Sequence, residues 1–186
     1  NLSAEVEAQY RQTLTTAVSA GHQVLVRGGK SQDAVIAAIL VMEDSPLFNA
    51  ARGAVLTNHG EAELDASIML GENLNAGAVT GVKRVRNPIL LAERVMLASP
   101  HVMLMGAGAE AFAKTQQLAL VDNVYFHTER RRRQLQQAIA KENGVAITEP
   151  SSDSYERRKY STVGAVALDQ QGLSLIHISE PTRRYE

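Results

Sequence analysis

The run Tyr160-Ser161-Thr162-Val163-Gly164-Ala165-Val166-Ala167-Leu168-Asp169 sets a threonine where a polar, charged stretch turns into an apolar one. Were the bond before Thr162 to break, one residue would carry both an attacking hydroxyl and a free α-amine able to serve as its base. An α-amine has an unperturbed pKa of about 7.7 to 8.0, which suits that work near neutrality. A second reading needs no chemistry, since a β-branched residue readily opens a strand. The context that favours reactivity is a connector rich in Gly, Pro, Ser and charge, Glu142 to Ser161, of the kind that tolerates scission, followed by a small apolar strand.

Other constellations carry less chemistry. Gly106-Ala107-Gly108-Ala109-Glu110-Ala111 follows the apolar His101 to Met105 and satisfies the G-x-G-x-x-A pattern that cradles a pyrophosphate. Such a site also needs an acidic residue at the end of the next strand, about 20 residues on, whereas Glu129 falls at a helix start. Arg130 to Arg133, with Arg157, Arg158 and Lys159, suggest a phosphate-binding patch. Consecutive helical positions point in different directions, however, and no aromatic residues interleave, so nucleic-acid binding is not expected. His22, His59, His101, His127 and His177 never fall three or four apart, which excludes a helical metal pair. Glu63 and Asp65 flank Leu64 and would face away from it on a strand, with no partner carboxylate set by spacing.

These residues need a scaffold, and 186 residues with 45% hydrophobic content can bury a substantial core. The net charge of -1 gives no basic field. Absence of cysteine excludes disulfides, thiolate catalysis and Cys-based metal sites and agrees with a reducing, cytoplasmic compartment. No apolar run reaches the roughly 18 residues of a membrane span, and Asn1-Leu2-Ser3-Ala4 has no signal-peptide pattern, so no membrane partner is expected.

Periodicity predicts a helix over 3–27, buried along Val6, Tyr10, Leu14, Val18 and Leu25 and stopped at Gly28-Gly29. Ser31 reads as the N-cap of a helix that is apolar on every side from Ala34 to Met42. A loop from Ser45 to Gly53 leads to strands at 54–57, 64–70 and 76–82. Asn87-Pro88 starts a helix that Ser99-Pro100 stops; a strand over 101–105, helices from about 107 and over 128–141, and a strand from Val163 follow. The order indicates a layered α+β chain.

Several segments in register narrow the reading: Glu43-Asp44-Ser45-Pro46-Leu47-Phe48-Asn49-Ala50, Glu63-Leu64-Asp65-Ala66-Ser67-Ile68-Met69, Ala76-Gly77-Ala78-Val79, Arg86-Asn87-Pro88-Ile89 and the Thr162 run. Over residues 3 to 172 the chain resembles the plant-type L-asparaginase or isoaspartyl peptidase family. The resemblance implies an αββα sandwich of N-terminal nucleophile type, incomplete here, made as a precursor that cuts itself between Ser161 and Thr162. It implies substrates such as asparagine and β-aspartyl dipeptides, and α/β heterodimers that pair into a dimer of heterodimers. It further implies a sodium ion held by the main-chain oxygens of Met42, Glu43, Ser45, Phe48, Ala50 and Arg52, with no cofactor for catalysis. Oxygen-only ligation is what a hard cation requires. Asn49 matches a family asparagine that assists processing; a loop amide that merely holds a turn would look the same.

The chain departs from the family in places. Ser161 stands where the family has glycine, which restricts the backbone an acyl shift would strain. An unprocessed, non-catalytic relative with a structural or binding role is the alternative this raises. The family's opening strand, second threonine, Thr-Gly-Gly element and substrate-holding Arg and Asp have no counterpart, so no substrate-binding residues are assigned and the chain as written is expected to be inactive. Leu173 to Arg183 reads as the in-frame translation of a sequencing-library adapter. The expected organisation is therefore an α-subunit part over 1–161, with 142–161 a mobile linker, the nucleophile strand over 162–172, and a non-native tail over 173–186.

Overall fold

The computed structural model describes residues 3–144 and 162–181. Among these residues the helices are α1 (Ala4–Val26), α2 (Ser31–Glu43), α3 (Pro88–Ala98), α4 (Gly106–Thr115) and α5 (Glu129–Glu142). The strands are β1 (Leu64–Leu70), β2 (Ala76–Val82), β3 (Met103–Met105), β4 (Val163–Leu168) and β5 (Ser174–Pro181). They form one sheet of order β3-β2-β1-β5-β4. The β2–β3 pair is parallel and the others are antiparallel.

Alternation along the strands gives the sheet two unlike faces. Leu64, Ala66 and Ile68 of β1 are buried, and so are Val79 opposite Ala66, Val163 on β4, and Leu175 and His177 on β5. Helices α2 and α3 pack on this side. Gly77 lets α3 ride directly on β2, because a Cβ there would lie 2.5 Å from the Met96 amide nitrogen and would strike the Ala92 carbonyl. Met69, Val166, Leu168, Met103 and Met105 are exposed on the opposite face.

Helix α1 does not bury the stripe its periodicity suggests. Leu14 and Val18 are 44% and 70% exposed, while Ala17 and Gly21 are buried. The reason is close approach: a Cβ on Gly21 would sit 2.8 Å from the Ala34 carbonyl oxygen, so α1 meets α2 along its small residues. Tight backbone contact there turns the bulkier Leu14 and Val18 outward.

Four boundaries also differ. Residues 54–57 form no strand, only a single Leu56–Ala62 bridge, because the Thr57 to Gly60 turn reverses the chain at once. The third strand shrinks to Met103–Met105, since the His101 amide donates to Ser99 Oγ and closes a turn. Ser31 is the first residue of α2 rather than its cap; Lys30 holds the cap position and lends no side chain. Helix α5 runs to Glu142 and stops at Gly144, with φ of 72°. The remainder of the expected linker, Ser161 included, lies outside the described residues.

The stretch set apart as a tail enters the sheet as β5, between β1 and β4. Its backbone pairs Leu64–Leu70 on one side and Val163–Leu168 on the other. The Leu-Ile-His-Ile core of this segment has the β-branched character that a central strand accepts.

Candidate functional site

Thr162 stands at the head of β4, the last strand of the sheet. It is exposed, and among the described residues no hydrogen bond engages its hydroxyl. Immediately after it Val163 is buried at 4% exposure and joins Val35, Ile39 and Met42 in the core. The following residues alternate, with Ala165 and Ala167 packed inward and Val166 and Leu168 outward. The threonine thus presents an exposed hydroxyl just ahead of a strand whose first residue is anchored.

The other end of β4 is anchored by Asp169. Its Oδ2 accepts the Ser31 amide at 3.0 Å, so it supplies the cap that α2 lacks, across 138 residues of sequence. Its Oδ1 accepts the amides of Gln171 at 3.1 Å and Leu173 at 3.0 Å. The Ser31 amide, followed by those of Leu173 and Gln171, holds this carboxyl below its ordinary pKa.

Helix α2 ends at Glu43 and runs into the loop that carries Ser45, Phe48, Asn49, Ala50 and Arg52. The six suggested oxygen donors lie in the last turn of α2 and in this loop. The Met42 carbonyl accepts the Ser45 amide at 3.3 Å and the Glu43 carbonyl the Arg52 amide at 3.0 Å, closing the loop on itself. At Gly53, with φ of 110°, a Cβ would lie 2.6 Å from Pro46 O and 2.8 Å from Phe48 O. Carbonyl oxygens therefore converge where only a glycine leaves room. Asn49 is buried, and its Oδ1 accepts the Val55 amide at 2.8 Å.

Side chains that sequence reasoning passed over hold this loop. Tyr10 donates its hydroxyl to Leu47 O at 2.6 Å, and Arg130 donates to Leu47 O at 2.8 Å and to the Tyr10 hydroxyl at 2.9 Å. Arg131 is buried and donates from Nε to Gly53 O at 2.7 Å. Arg133 instead pairs with Glu129 on the surface. The arginine run is a set of struts pointing different ways, as its helical spacing requires.

Glu43 is buried and its Oε1 accepts the Ile89 amide at 3.0 Å, capping α3 from α2. Burial pushes its carboxyl up to about 8, against the Ile89 amide and the Asn87 side chain, so it is a neutral acid at pH 7. Lys83 bridges Glu61 at 2.6 Å and Glu63 at 3.1 Å on the half-exposed surface. The Glu61 contact comes first in raising the Lys83 pKa, and Lys83 in turn lowers that of Glu61. Asp65 faces away from Leu64 as its spacing predicts and accepts the Thr80 hydroxyl and the Gly81 amide, both at 2.8 Å.

At Gly106 and Gly108 an added Cβ would meet nothing within 4 Å, so neither glycine of the dinucleotide-like pattern is required by packing within the chain. No group of three or more His, Cys, Asp or Glu able to hold a metal occurs among the described residues. No helix among them is long and apolar enough to cross a membrane.

A sheet backed by helices, with a threonine at the head of its edge strand β4, has the layered α+β fold of the N-terminal nucleophile hydrolases. More narrowly, the chain belongs to the asparaginase family, whose profile matches residues 1–175. It is similar to the isoaspartyl peptidase of Escherichia coli K12, 42% identical over 171 residues, covering 92% of this chain and 53% of that protein. It is 40% identical over 172 residues to an isoaspartyl peptidase/L-asparaginase of Bos taurus, covering 92% and 54%. Against that of Homo sapiens the figures are 38% over 171 residues, 92% and 53%. The chain spans about half the length of these relatives.

Proposed function

We propose that the whole protein is a threonine-nucleophile amidohydrolase, an isoaspartyl peptidase and L-asparaginase, produced as a precursor that processes itself between Ser161 and Thr162. The observation that carries this reading is Thr162: an exposed threonine at the head of a strand anchored by Val163, in a chain of the asparaginase family. In processing, Oγ attacks the Ser161 carbonyl carbon, the C–N bond breaks, and the acyl group passes to oxygen as an ester while the α-amine is freed. Water opens the ester. In turnover the α-amine takes the hydroxyl proton as Oγ attacks the side-chain carbonyl of asparagine or a β-aspartyl peptide. Ammonia or the downstream amino acid leaves, and water releases aspartate.

The lengths of α2 and β4 support a role for Asn49. Thirteen helical residues span about 20 Å, and six extended residues also span about 20 Å. With Asp169 tied to the start of α2, the head of β4 comes level with the end of α2, where the loop bearing Asn49 begins. A sodium ion held by the main-chain oxygens of Met42, Glu43, Ser45, Phe48, Ala50 and Arg52 would suit this loop, of whose six donors the Phe48 carbonyl lies beside Gly53. Such an ion would supply rigidity to the loop and no chemistry. The cut halves stay together as an α/β pair, and two pairs associate.

Intact mass spectrometry tests the processing step. The full gene product is expected to break between Ser161 and Thr162 and to hydrolyse β-aspartyl dipeptides, and its Thr162→Ala variant to remain whole. A single unbroken mass after long incubation, with no hydrolysis, selects the other reading, an unprocessed relative with a structural or binding role. Ser161 in the place of the family's glycine is the feature that favours it.

A further inference from the structure

We infer that Asp169 is a positioning residue: it fixes the axial place and register of β4 against α2, and so sets where Thr162 stands. The inference rests on the nucleophile reading above. Three backbone amides converge on this one carboxylate, from Ser31, Gln171 and Leu173. Two belong to the turn that ends β4, and the third opens the helix lying across that strand. The turn is closed a second time by Asp169 N to Leu173 O and Gly172 N to Asp169 O, each 3.0 Å. Asp169 is itself 7% exposed, so water does not stand in for these bonds.

The strand needs such a pin. Its side chains are small or alternate simply, Val-Gly-Ala-Val-Ala-Leu, and give little to distinguish one register from a neighbouring one. A slip of one residue would turn Val163 out of the core and Thr162 into it. The anchor at the helix start also carries the favourable N-terminal end of the α2 dipole, which a carboxylate complements. One side chain therefore states both where the strand ends and which part of α2 it lies beside.

The test uses the 186-residue chain with Asp169→Ala, Asp169→Asn and Glu110→Gln. Glu110 is the matched control, a carboxylate that accepts two amides, Lys83 at 2.7 Å and Arg84 at 2.9 Å, away from β4. Scission at Thr162 is timed by intact mass under conditions where circular dichroism shows every variant folded. Asp169→Ala is expected to slow it on the order of tenfold or more, as misplacement by about 1 Å does, with partial rescue in Asp169→Asn and no change in Glu110→Gln. Equal slowing in Glu110→Gln, or none in Asp169→Ala, overturns the inference. In parallel, NMR follows the Ala165–His177 and Ala167–Leu175 pairs. Asp169→Ala is expected to show more than one register, and a single native register overturns the inference. A parent that never cleaves counts against processing in this chain and leaves the nucleophile reading to the full gene product, and the NMR outcome then decides the positioning role alone.

Discussion

His177 puts an imidazole into the core, and its protonation should be measurable as lost stability. The residue is 1% exposed; its Nδ1 is hydrogen-bonded to Ser67 O, and Nε2 has no partner among the described residues. Burial lowers its pKa from 6.5 to about 4. Below pH 6.5 the unfolded chain takes up a proton that the folded chain refuses until about pH 4, so stability is complete above 6.5 and drains as pH falls. Over that interval the loss is about 3 kcal/mol, from about 1.4 kcal/mol per pKa unit. Glu43, raised to about 8, runs the opposite way: the folded state binds its proton first, so lowering the pH through 8 towards 4.5 adds stability. The absolute slope is therefore uninformative, and the assay is a difference. Urea midpoints are measured from pH 7.5 to 4.5 for the parent and His177→Leu. The variant loses the proton site and the His177 hydrogen bond to Ser67 O, which costs about 0.5 to 1.5 kcal/mol at pH 7.5. The parent's advantage should shrink by about 3 kcal/mol by pH 4.5. A constant difference across the range refutes a buried, neutral His177.

Three further outcomes follow from the packing. Gly53→Ala must hold an L side chain at a φ of 110° with Pro46 O and Phe48 O at 2.6 and 2.8 Å; it should destabilise by about 2 kcal/mol or more. Thermal melts in sodium versus choline chloride should show a sodium-dependent gain in the parent that this variant lacks. Gly77→Ala drives a methyl into the α3 backbone and should cost about 1 to 3 kcal/mol by urea unfolding. Ending the chain at Gly172 removes β5 and leaves β1 and β4 with unpaired edges; size-exclusion chromatography should show aggregates rather than a monomer peak.

The elements whose cues are local were legible in the sequence. Ser3 caps α1 as a serine before a helix should, Pro88 opens α3, and the alternation of β1 and the small residues of β2 mark strands that the structure keeps. What escaped was set at long range. The caps of α2 and α3 come from Asp169 and Glu43, 138 and 46 residues away in sequence, and no window shows them. The α1 stripe was misjudged because hydrophobicity ranks Leu14 and Val18 above Ala17 and Gly21, whereas close helix contact selects the small pair. Arg130 and Arg131 suggested part of a phosphate-binding patch because only the folded loop offers them Leu47 O and Gly53 O. The Asx turn at Asp169 was the one missed feature with a local trace, an aspartate three residues before Gly172.

The two faces of the sheet tie the fold to its family. One face is closed by α2 and α3, and the other exposes Met69, Val166, Leu168, Met103 and Met105 along three of the five strands. An antiparallel sheet can face water on one side, but it then alternates apolar inside with polar outside. Here the outer positions at both ends of the sheet are themselves apolar, with Val166 at 75% exposure beside a hollow of about 120 Å³ that Met69 and Leu175 also line. That pattern belongs to a sheet meant to be covered on both sides. In the αββα sandwich of the family the cover is a second sheet, and the relatives run to nearly twice this length. Thr162 heads the strand at the rim of that face, so the layer that would cover Val166 and Leu168 would also stand beside the proposed nucleophile.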